Sequence, residues 1–273
     1  MSGDDPYAVL AEWYDIEHDA ITEDVEFFAQ QIASLGVARP RVLEVGGGTG
    51  RIAAGLALAG YEVVGIEPSA AMRARYLARL AALPERVARR MTVLDGDARL
   101  LTLPADTRFD AALYGLDTFA HLLTAEERDA ALRAAYERLH IGGKLLIDLD
   151  PLGARRLAES IGRDWLQGAW QDQRSGRVLR HTLRATDVSD DVSDDVSDDV
   201  SDDVVTIQNV LTVTAPDGAV TETITELRLA LLSREEVERA ISAAGFMLEA
   251  TYGGYDGRKV EPDAPRLIFV AAR

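Results

Sequence analysis

Residues 41–60 read RVLEVGGGTGRIAAGLALAG, and this stretch decides the fold. Val42, Leu43 and Val45 have the composition of a short buried strand, and four of the next five residues are glycine. After the glycines, apolar residues recur at helical spacing until Gly60 ends the pattern. A strand, a glycine turn and a helix in this order present backbone N–H groups and a helix N-terminus to a nucleotide-like ligand.

The composition is that of an ordinary globular protein. The chain has 273 residues, of which 47% are hydrophobic and 27% are charged, enough for one large α/β domain with a small insertion. Cysteine is absent, which excludes disulfides, thiolate metal sites and a cysteine nucleophile.

Charge and hydropathy exclude two classes of partner. The formal net charge is −17, and nine aspartates between positions 187 and 203 contribute much of it. A protein that binds nucleic acid needs a basic surface, so we expect no nucleic-acid partner. No run approaches the roughly 18 apolar residues of a membrane helix. The acidic first residues lack the basic segment of a secretory signal, so we expect a cytoplasmic protein with no membrane partner.

Four further strands follow the glycine turn, with helical patterns between them. Their apolar runs lie at 61–66, 91–94, 109–114 and 144–149. We expect the last intervening helix to be broken by Gly142 and Gly143, just before the strand KLLIDL. Helices that separate apolar strands indicate a parallel, doubly wound sheet. A helix that starts at the Ser233 capping box and two closing strands at 246–252 and 267–271 complete the pattern.

The segment 163–232 has a different pattern, which predicts a small antiparallel β insertion. Strand composition occurs at 178–186, 204–214 and 220–231, with the turn signal Pro-Asp-Gly before the last of these. Within the insertion the sequence Val-Ser-Asp-Asp repeats, and its period of four suits neither an amphipathic strand nor a helix. We expect an extended, mobile hairpin tip at 187–204. The repeat contains no glycine, which disfavours a calcium loop.

The motifs at the predicted strand ends resemble those of the class I S-adenosylmethionine-dependent methyltransferases. The segment Glu44–Gly50 looks like the cofactor loop of that family, and Glu67 is similar to its ribose-binding acid. Gly96, Asp97 and Ala98 look like the segment that holds adenine. The resemblance implies a Rossmann-like seven-stranded sheet of order 3-2-1-4-5-7-6 whose last strand is antiparallel.

The resemblance also implies a division of the chain and a cofactor site. Covering helices would occupy 1–40, the Rossmann-like core 41–162 and 233–273, and the substrate cover 163–232. The cofactor would be S-adenosyl-L-methionine, with S-adenosyl-L-homocysteine as the product. The residues expected to bind it are Glu44, Gly46, Gly47, Gly48, Thr49, Gly50, Glu67, Pro68, Ser69, Met72, Gly96, Asp97, Ala98, Tyr114 and Gly115.

Two other interpretations remain open at this point. An NAD-dependent oxidoreductase would use the same kind of fold, and residues 48–53 do match G-x-G-x-x-A. In that register, however, the strand would end two residues too late, and Glu44 would have no role. The second alternative is a non-catalytic regulatory protein that binds the cofactor and uses the acidic repeat as its contact surface.

The family resemblance implies a small-molecule acceptor, methylated on nitrogen or oxygen. By position, we expect Tyr14, Asp117, His121 and Tyr255 to face the substrate pocket. Acids at strand ends, among them Asp148, could hold magnesium, but such acids usually cap loops and we expect no metal. In-line methyl transfer needs alignment and exclusion of water more than a dedicated catalytic side chain. We expect a monomer or a homodimer.

Overall fold

The structure is a computed structural model that describes residues 5–190 and 203–273. The strands are β1 (Arg41–Val45), β2 (Glu62–Ile66), β3 (Met91–Leu94), β4 (Phe109–Tyr114), β5 (Leu139–Leu149), β6 (Asp164–Gln171), β7 (Val178–Asp190), β8 (Asp203–Thr214), β9 (Val220–Ala230), β10 (Met247–Tyr252) and β11 (Leu267–Ala272). The helices are α1 (Tyr7–His18), α2 (Glu23–Ala33), α3 (Arg51–Leu58), α4 (Ala70–Ala82), α5 (Glu85–Ala88), α6 (Ala125–Arg138), α7 (Pro151–Ala158) and α8 (Arg234–Ala243).

Seven strands form the central sheet, in the order β10-β11-β5-β4-β1-β2-β3. The pairs among β1 to β5 are parallel, whereas β11 runs antiparallel to both β5 and β10. Counted along the chain within this sheet, β10 is the sixth strand and β11 the seventh. The order is therefore 3-2-1-4-5-7-6 with an antiparallel last strand, as predicted.

Helices cover both faces of this sheet. On one face, Phe28 of α2 and Leu56 of α3 pack against apolar residues of the central strands. On the other face, Leu132 of α6 and Ile241 of α8 belong to a second apolar cluster. Because both faces are buried, the central strands carry continuous apolar runs, which made them recognisable in the sequence.

The fifth strand is longer than predicted. The preceding helix ends at Arg138 and β5 already begins at Leu139, so Gly142 and Gly143 lie inside the strand and do not break a helix. The pairing of β5 with β4 shifts register near this point, and Gly142 has a φ of +80°. A bulge of this kind accommodates a glycine pair within a strand. The predicted strand KLLIDL is only the second half of β5.

The insertion after β5 is a separate antiparallel sheet of four strands, in the order β6-β7-β8-β9. Three of these strands were predicted, whereas β6 and the preceding helix α7 were not. Most residues of β6 are exposed, so its sequence lacks the alternation that marks a half-buried strand. Asp150 caps α7 by accepting a hydrogen bond from the Gly153 N–H at 2.8 Å.

Strand pairing extends into both ends of the acidic repeat. Ser189 pairs with Val204, and Asp190 pairs with Asp203. The two ends of the predicted tip, 187–190 and 203–204, therefore lie in the paired strands β7 and β8. Its central part, 191–202, lies outside the described residues.

The two N-terminal helices pack on different parts of the molecule. Leu10 and Trp13 of α1 pack against Leu179 and Leu211 on the inner face of the insertion sheet, whereas α2 packs on the core. In the part of the chain that the structure describes, no helix has both the length and the apolar character needed to cross a membrane.

Candidate active site

The glycine turn after β1 shapes the floor of the candidate site. Gly46, Gly48 and Gly50 all have positive φ, at +68°, +54° and +79°. A Cβ at Gly46 would lie 2.5 Å from Thr118 Cγ2, and one at Gly50 would lie 2.7 Å from Tyr76 Cδ2. A Cβ at Gly48 would meet no atom within 4 Å. Gly46 and Gly50 thus allow close packing, while Gly48 leaves open space beside the backbone.

A cavity of about 520 Å³ extends from this turn along the ends of β2 and β3. Nine of the predicted cofactor residues line it, namely Gly46, Gly48, Glu67, Pro68, Ser69, Met72, Gly96, Asp97 and Ala98. The opposite wall comes from the N-terminal segment, through Asp5, Pro6, Tyr7 and Tyr14. We call this space the main cavity.

Glu67 ties the glycine turn to the start of α4. Its Oε2 accepts a hydrogen bond from the Gly48 N–H at 2.8 Å, and its Oε1 accepts one from the Ser69 N–H at 2.8 Å. Ser69 in turn caps α4 through its side chain, as predicted. Burial raises the pKa of the Glu67 carboxyl, while the two backbone donors oppose that rise. The carboxylate lines the main cavity with acceptor capacity left for a ligand's hydroxyl groups.

Glu44 lies at the inner end of the site with part of its carboxyl group unpartnered. Glu44 Oε2 and Thr49 Oγ1 are buried and have no hydrogen-bond partner among the described residues. Both residues line a small recess of about 30 Å³, which shares Tyr14, Gly46 and Gly48 with the main cavity. Burial raises the pKa of Glu44 to about 8. Buried polar groups normally find partners, so these atoms fit a ligand with polar or charged ends.

Asp97 is oriented by its neighbour Arg99. Asp97 Oδ1 accepts hydrogen bonds from both the backbone N–H and the Nε of Arg99, each at 2.8 Å. Arg99 also pairs with Glu127, and all three residues line the main cavity. The Arg99 hydrogen bond is the main reason why the pKa of Asp97 is lowered. The acid predicted to contact adenine is therefore held as a carboxylate at the cavity wall.

His121 and Tyr7 form a half-buried pair on the main cavity. Tyr7 Oη lies 2.9 Å from His121 Nε2, and both side chains line the cavity. Burial lowers the pKa of His121 to about 4, so its imidazole is neutral at neutral pH. Tyr7 was not among the predicted site residues. The sequence showed it only as one of several aromatic residues in the first helix.

The structure brings only two of the four predicted pocket residues to this cavity. Tyr14 and His121 line it. Asp117 lies beside a second cavity, and Tyr255 Oη donates a hydrogen bond to Asp148 Oδ2 at 2.7 Å. Among the predicted cofactor residues, Tyr114 has its side chain in the core, where its hydroxyl donates to the Ala131 carbonyl at 3.1 Å.

The acids at the ends of β4 and β5 have protein partners. Arg266 Nε donates to Asp148 Oδ1 at 2.8 Å, and Arg266 Nη1 lies 3.3 Å from Asp117 Oδ2. One guanidinium thus contacts both Asp148, an acid considered for magnesium, and Asp117. These contacts join β5 to the loop before β11 and fix the wall next to the cavity.

Comparison with known proteins adds a family match. Residues 43–145 match the family model described as a methyltransferase domain, and this part of the chain is similar to that family. The matched range contains the glycine turn, Glu67 and Asp97. Together with the observed strand order, the match favours a methyltransferase over the nicotinamide oxidoreductase alternative.

A curated relative extends this comparison. The uncharacterized methyltransferase YrrT of Bacillus subtilis (strain 168) is 36% identical over 131 residues, which are 48% of this chain and 57% of that protein. The match thus spans little more than half of that curated relative.

Two solved structures match nearly the whole chain. The amino pentose methyltransferase CalS10 from Micromonospora echinaspora, solved with S-adenosylmethionine bound, has a TM-score of 0.68 at 22% identity and covers 100% of this chain and 98% of its own. The sugar N-methyltransferase KedS8 from Streptoalloteichus sp. has a TM-score of 0.70 at 22% identity, with coverages of 100% and 96%. At this level of identity the likeness shows a common fold.

Proposed function

We propose that this protein is an S-adenosylmethionine-dependent methyltransferase that methylates a nitrogen atom of a small molecule. The carrying observation is the main cavity with the adjoining recess, where an open glycine turn lies beside the Glu67 carboxylate and the buried Glu44, whose Oε2 has no partner among the described residues. This arrangement suits a ligand that has both a nucleoside and a charged amino-acid end. The methyltransferase domain match supports the same choice of cofactor.

In this proposal each predicted motif holds one part of the cofactor. Glu67 accepts hydrogen bonds from the ribose hydroxyls, because its two oxygens already face the cavity from a fixed position. Asp97 faces the adenine, and Glu44 lies nearest the ammonium group. When bound, the cofactor supplies an electrophilic methyl group. The remaining predicted residues, including Pro68, Met72 and Ala98, contribute shape and apolar contact to the wall.

We assign the acceptor side of the cavity to Tyr7, Tyr14 and His121. A nitrogen acceptor needs its lone pair free and aligned with the bond that breaks. The neutral imidazole of His121 can accept a hydrogen bond from an N–H of the acceptor and so orient that lone pair. The bond from nitrogen to the methyl carbon forms as the carbon–sulfur bond breaks, and the proton later leaves the nitrogen to water. Two solved neighbours are described as amino pentose and sugar N-methyltransferases, which supports a nitrogen acceptor.

The proposed function is tested by binding followed by turnover. Calorimetric titrations with S-adenosylmethionine, S-adenosylhomocysteine and NAD are expected to show micromolar binding of the first two only. Release of S-adenosylhomocysteine is then measured with a set of small amines and with alcohols of matched shape. Turnover with amines alone agrees with the proposal, and turnover with alcohols alone refutes the nitrogen assignment.

The regulatory alternative predicts a different result in the same experiment. A non-catalytic protein would bind the cofactor yet release no S-adenosylhomocysteine with any acceptor. The His121→Phe variant provides a further control, since we expect it to keep cofactor affinity and to reduce turnover at least tenfold. An equal loss of cofactor affinity would show that His121 serves binding and not the acceptor.

A further inference from the structure

The turn that follows β4 has a strained backbone. Leu116 and Asp117 are consecutive and both have positive φ, at +43° and +64°. No other residue that the structure describes, glycine apart, has a positive φ. Such a conformation persists only where surrounding contacts hold it, and it is frequent at functional sites. We call residues 116–117 the strained turn.

The strained turn leads directly into the wall of the main cavity. Thr118 and His121 line that cavity and belong to one turn of 3₁₀ helix that begins right after Asp117. Thr118 also lies against the glycine turn, because a Cβ added at Gly46 would come within 2.5 Å of Thr118 Cγ2. A change in the strained turn would therefore move both this contact and the imidazole assigned to the acceptor.

Asp148, at the end of β5, holds the backbone of the strained turn. Its Oδ2 accepts a hydrogen bond from the Leu116 N–H at 3.1 Å, and its main-chain carbonyl accepts one from the Asp117 N–H at 3.0 Å. The Asp148 side chain is fully buried. Tyr255 Oη donates to the same Oδ2 at 2.7 Å, and the Tyr255 ring lies edge-on to Phe28 of α2. The carboxylate that binds the turn is therefore itself fixed in place.

Arg266, just before β11, joins Asp148 to Asp117. Its Nε donates to Asp148 Oδ1 at 2.8 Å, and its Nη1 lies 3.3 Å from Asp117 Oδ2. Asp117 Oδ1 meanwhile accepts a hydrogen bond from the Asp150 N–H at 2.5 Å. A planar guanidinium presents its donors in fixed directions, so it sets the separation of the two carboxylates that it contacts. The strained turn is thus held by residues that lie behind the cavity wall.

We propose that Arg266 and Asp148 are positioning residues for methyl transfer. Resting on the proposed function, they hold the strained turn so that Thr118 stays against the glycine turn and His121 faces the acceptor nitrogen. Neither Arg266 nor Asp148 lines the main cavity, so both act through the turn. In-line transfer depends on alignment of the reacting atoms, so weakening this hold lowers the rate of transfer more than the affinity for either ligand.

The first test is the Arg266→Lys variant. It keeps a positive charge beside the buried acids, so the fold is preserved, but an ammonium group cannot hold both carboxylates in a fixed geometry. With the amine that gives the highest turnover in the acceptor screen, we expect kcat to fall at least about tenfold. We expect the acceptor KM and the affinity for S-adenosylhomocysteine, measured by calorimetry, to change by less than about threefold.

Two further variants complete the kinetic test. Asp117→Asn tolerates positive φ and can still accept from the Asp150 N–H, but it loses the charge that faces Arg266. We expect kcat to fall at least about threefold in this variant. Arg138→Lys is the matched control, because Arg138 donates to the carbonyls of residues 103 and 104, which do not line the main cavity. We expect its kcat to be unchanged.

The titration of His121 provides a readout that does not depend on activity. Burial holds the pKa of its imidazole at about 4 in the unaltered protein. When the turn loosens, water reaches the ring, so in Arg266→Lys we expect this pKa to rise to at least about 5. NMR of the histidine rings measures it, and His121→Gln assigns the signal among the four histidines. Arg138→Lys is expected to keep the pKa of the unaltered protein.

The outcomes separate this proposal from the proposed function. Absence of S-adenosylmethionine binding by the unaltered protein refutes the proposed function, whatever the titration shows. Where the cofactor binds and an amine is methylated, an unchanged kcat or an unchanged His121 pKa in Arg266→Lys refutes the positioning role alone. An equal fall of kcat in Arg138→Lys would indicate general destabilisation and would also refute that role.

Discussion

Two ionisable groups of the candidate site, Glu44 in the small recess and His121 on the main cavity, are uncharged at neutral pH for the same physical reason. Burial disfavours the charged form, so it raises the pKa of Glu44 to about 8 and lowers that of His121 to about 4. The protein thus holds a protonated carboxyl at one end of the site and a neutral imidazole at the other. Each group has a measurable consequence.

Cofactor binding is expected to release a proton from Glu44. The folded-state pKa of Glu44 lies above its ordinary value, so the carboxyl is largely protonated at pH 7 without ligand. An ammonium group beside it favours the carboxylate and lowers that pKa. Calorimetry at pH 7 in buffers of different ionisation enthalpy should therefore show release of up to about one proton per cofactor bound. Glu44→Gln should bind with little release, and an unchanged proton count in that variant would contradict the assignment.

Acid stability is expected to depend on His121. Its folded-state pKa of about 4 lies below its ordinary value of 6.5, so the unfolded chain binds more protons between these two values. The free energy of unfolding should therefore fall as the pH drops from about 6.5 towards 4. Between pH 7 and pH 5, urea unfolding should show a loss about 2 kcal/mol larger for the natural chain than for His121→Gln. Equal losses would indicate a solvated imidazole.

At the residue scale, spacing predicted the acids but not the Tyr7–His121 pair. Glu44 and Glu67 follow from their positions beside the glycine turn and at the end of the next strand. Tyr7 reaches His121 from 114 residues away, and no local pattern contains that contact. Position along the chain predicted Asp117 and Tyr255 in the substrate pocket. In the fold, Asp117 contacts Arg266 and Tyr255 donates a hydrogen bond to Asp148, away from the main cavity. Long-range pairing of polar groups is a property of the assembled fold.

At the element scale, the strands that position the site were predicted more accurately than the insertion. Strands buried on both faces carry uninterrupted apolar runs, and β3 and β4 have the predicted bounds. The start of β5 was missed because a bulge absorbs two glycines that otherwise resemble a helix stop. The strand β6 was missed because solvent covers most of it.

The glycine turn allows a matched test of its role in binding. Gly48 and Gly36 both have positive φ, and a Cβ at either position would meet no atom within 4 Å. Alanine at each should therefore cost a similar backbone strain, about 1–2 kcal/mol of stability. Only Gly48 lines the main cavity, so only Gly48→Ala is expected to weaken cofactor affinity, measured by calorimetry. Equal affinities of the two variants would place the cofactor away from this turn.

A buried ion pair joins the N-terminal helices to the glycine-turn helix. Arg51 Nη1 donates to Asp24 Oδ1 at 2.9 Å, and the Asp24 side chain is fully buried. Asp24→Ala leaves the guanidinium uncompensated and should cost about 3–5 kcal/mol in urea unfolding. The double variant Asp24→Leu/Arg51→Met removes both charges and should recover most of that loss. A loss below about 1 kcal/mol in the single variant would indicate that water replaces the carboxylate.

At the scale of the whole molecule, the N-terminal helix connects the insertion to the core. Trp13 packs under Arg177, whose guanidinium lies 4.4 Å from the ring centroid, and Thr225 Oγ1 donates to the Pro6 carbonyl at 3.2 Å. At the other end, Asp5 Oδ2 accepts from Ser69 Oγ at 2.6 Å. The main cavity is therefore enclosed by contacts between segments far apart in sequence, which is why its cover was harder to predict than its floor.

The centre of the acidic repeat is expected to be dispensable for this enclosure. Asp190 and Asp203 are paired across β7 and β8, so residues 191–202 can be replaced by the two-residue turn Asn-Gly. The shortened chain should bind the cofactor with unchanged affinity and unfold within about 0.5 kcal/mol of the natural chain. Calorimetry and urea unfolding provide the two measurements. Loss of cofactor binding would mean that the repeat contributes to the site.

The position of α1 has a consequence for synthesis on the ribosome. This helix is made before the strands that cover it, since the partner of Glu17, His181, comes 164 residues later and Trp13 packs against Leu179 and Leu211 of β7 and β8. At about 5–20 residues per second, the apolar face of α1 stays uncovered for roughly ten seconds or more. Of the central sheet, only the parallel strands β1 to β5 emerge in the meantime. The strands beside the glycine turn are therefore made well before the segments that cover the cofactor site. We expect the cofactor to bind in the last stage of folding.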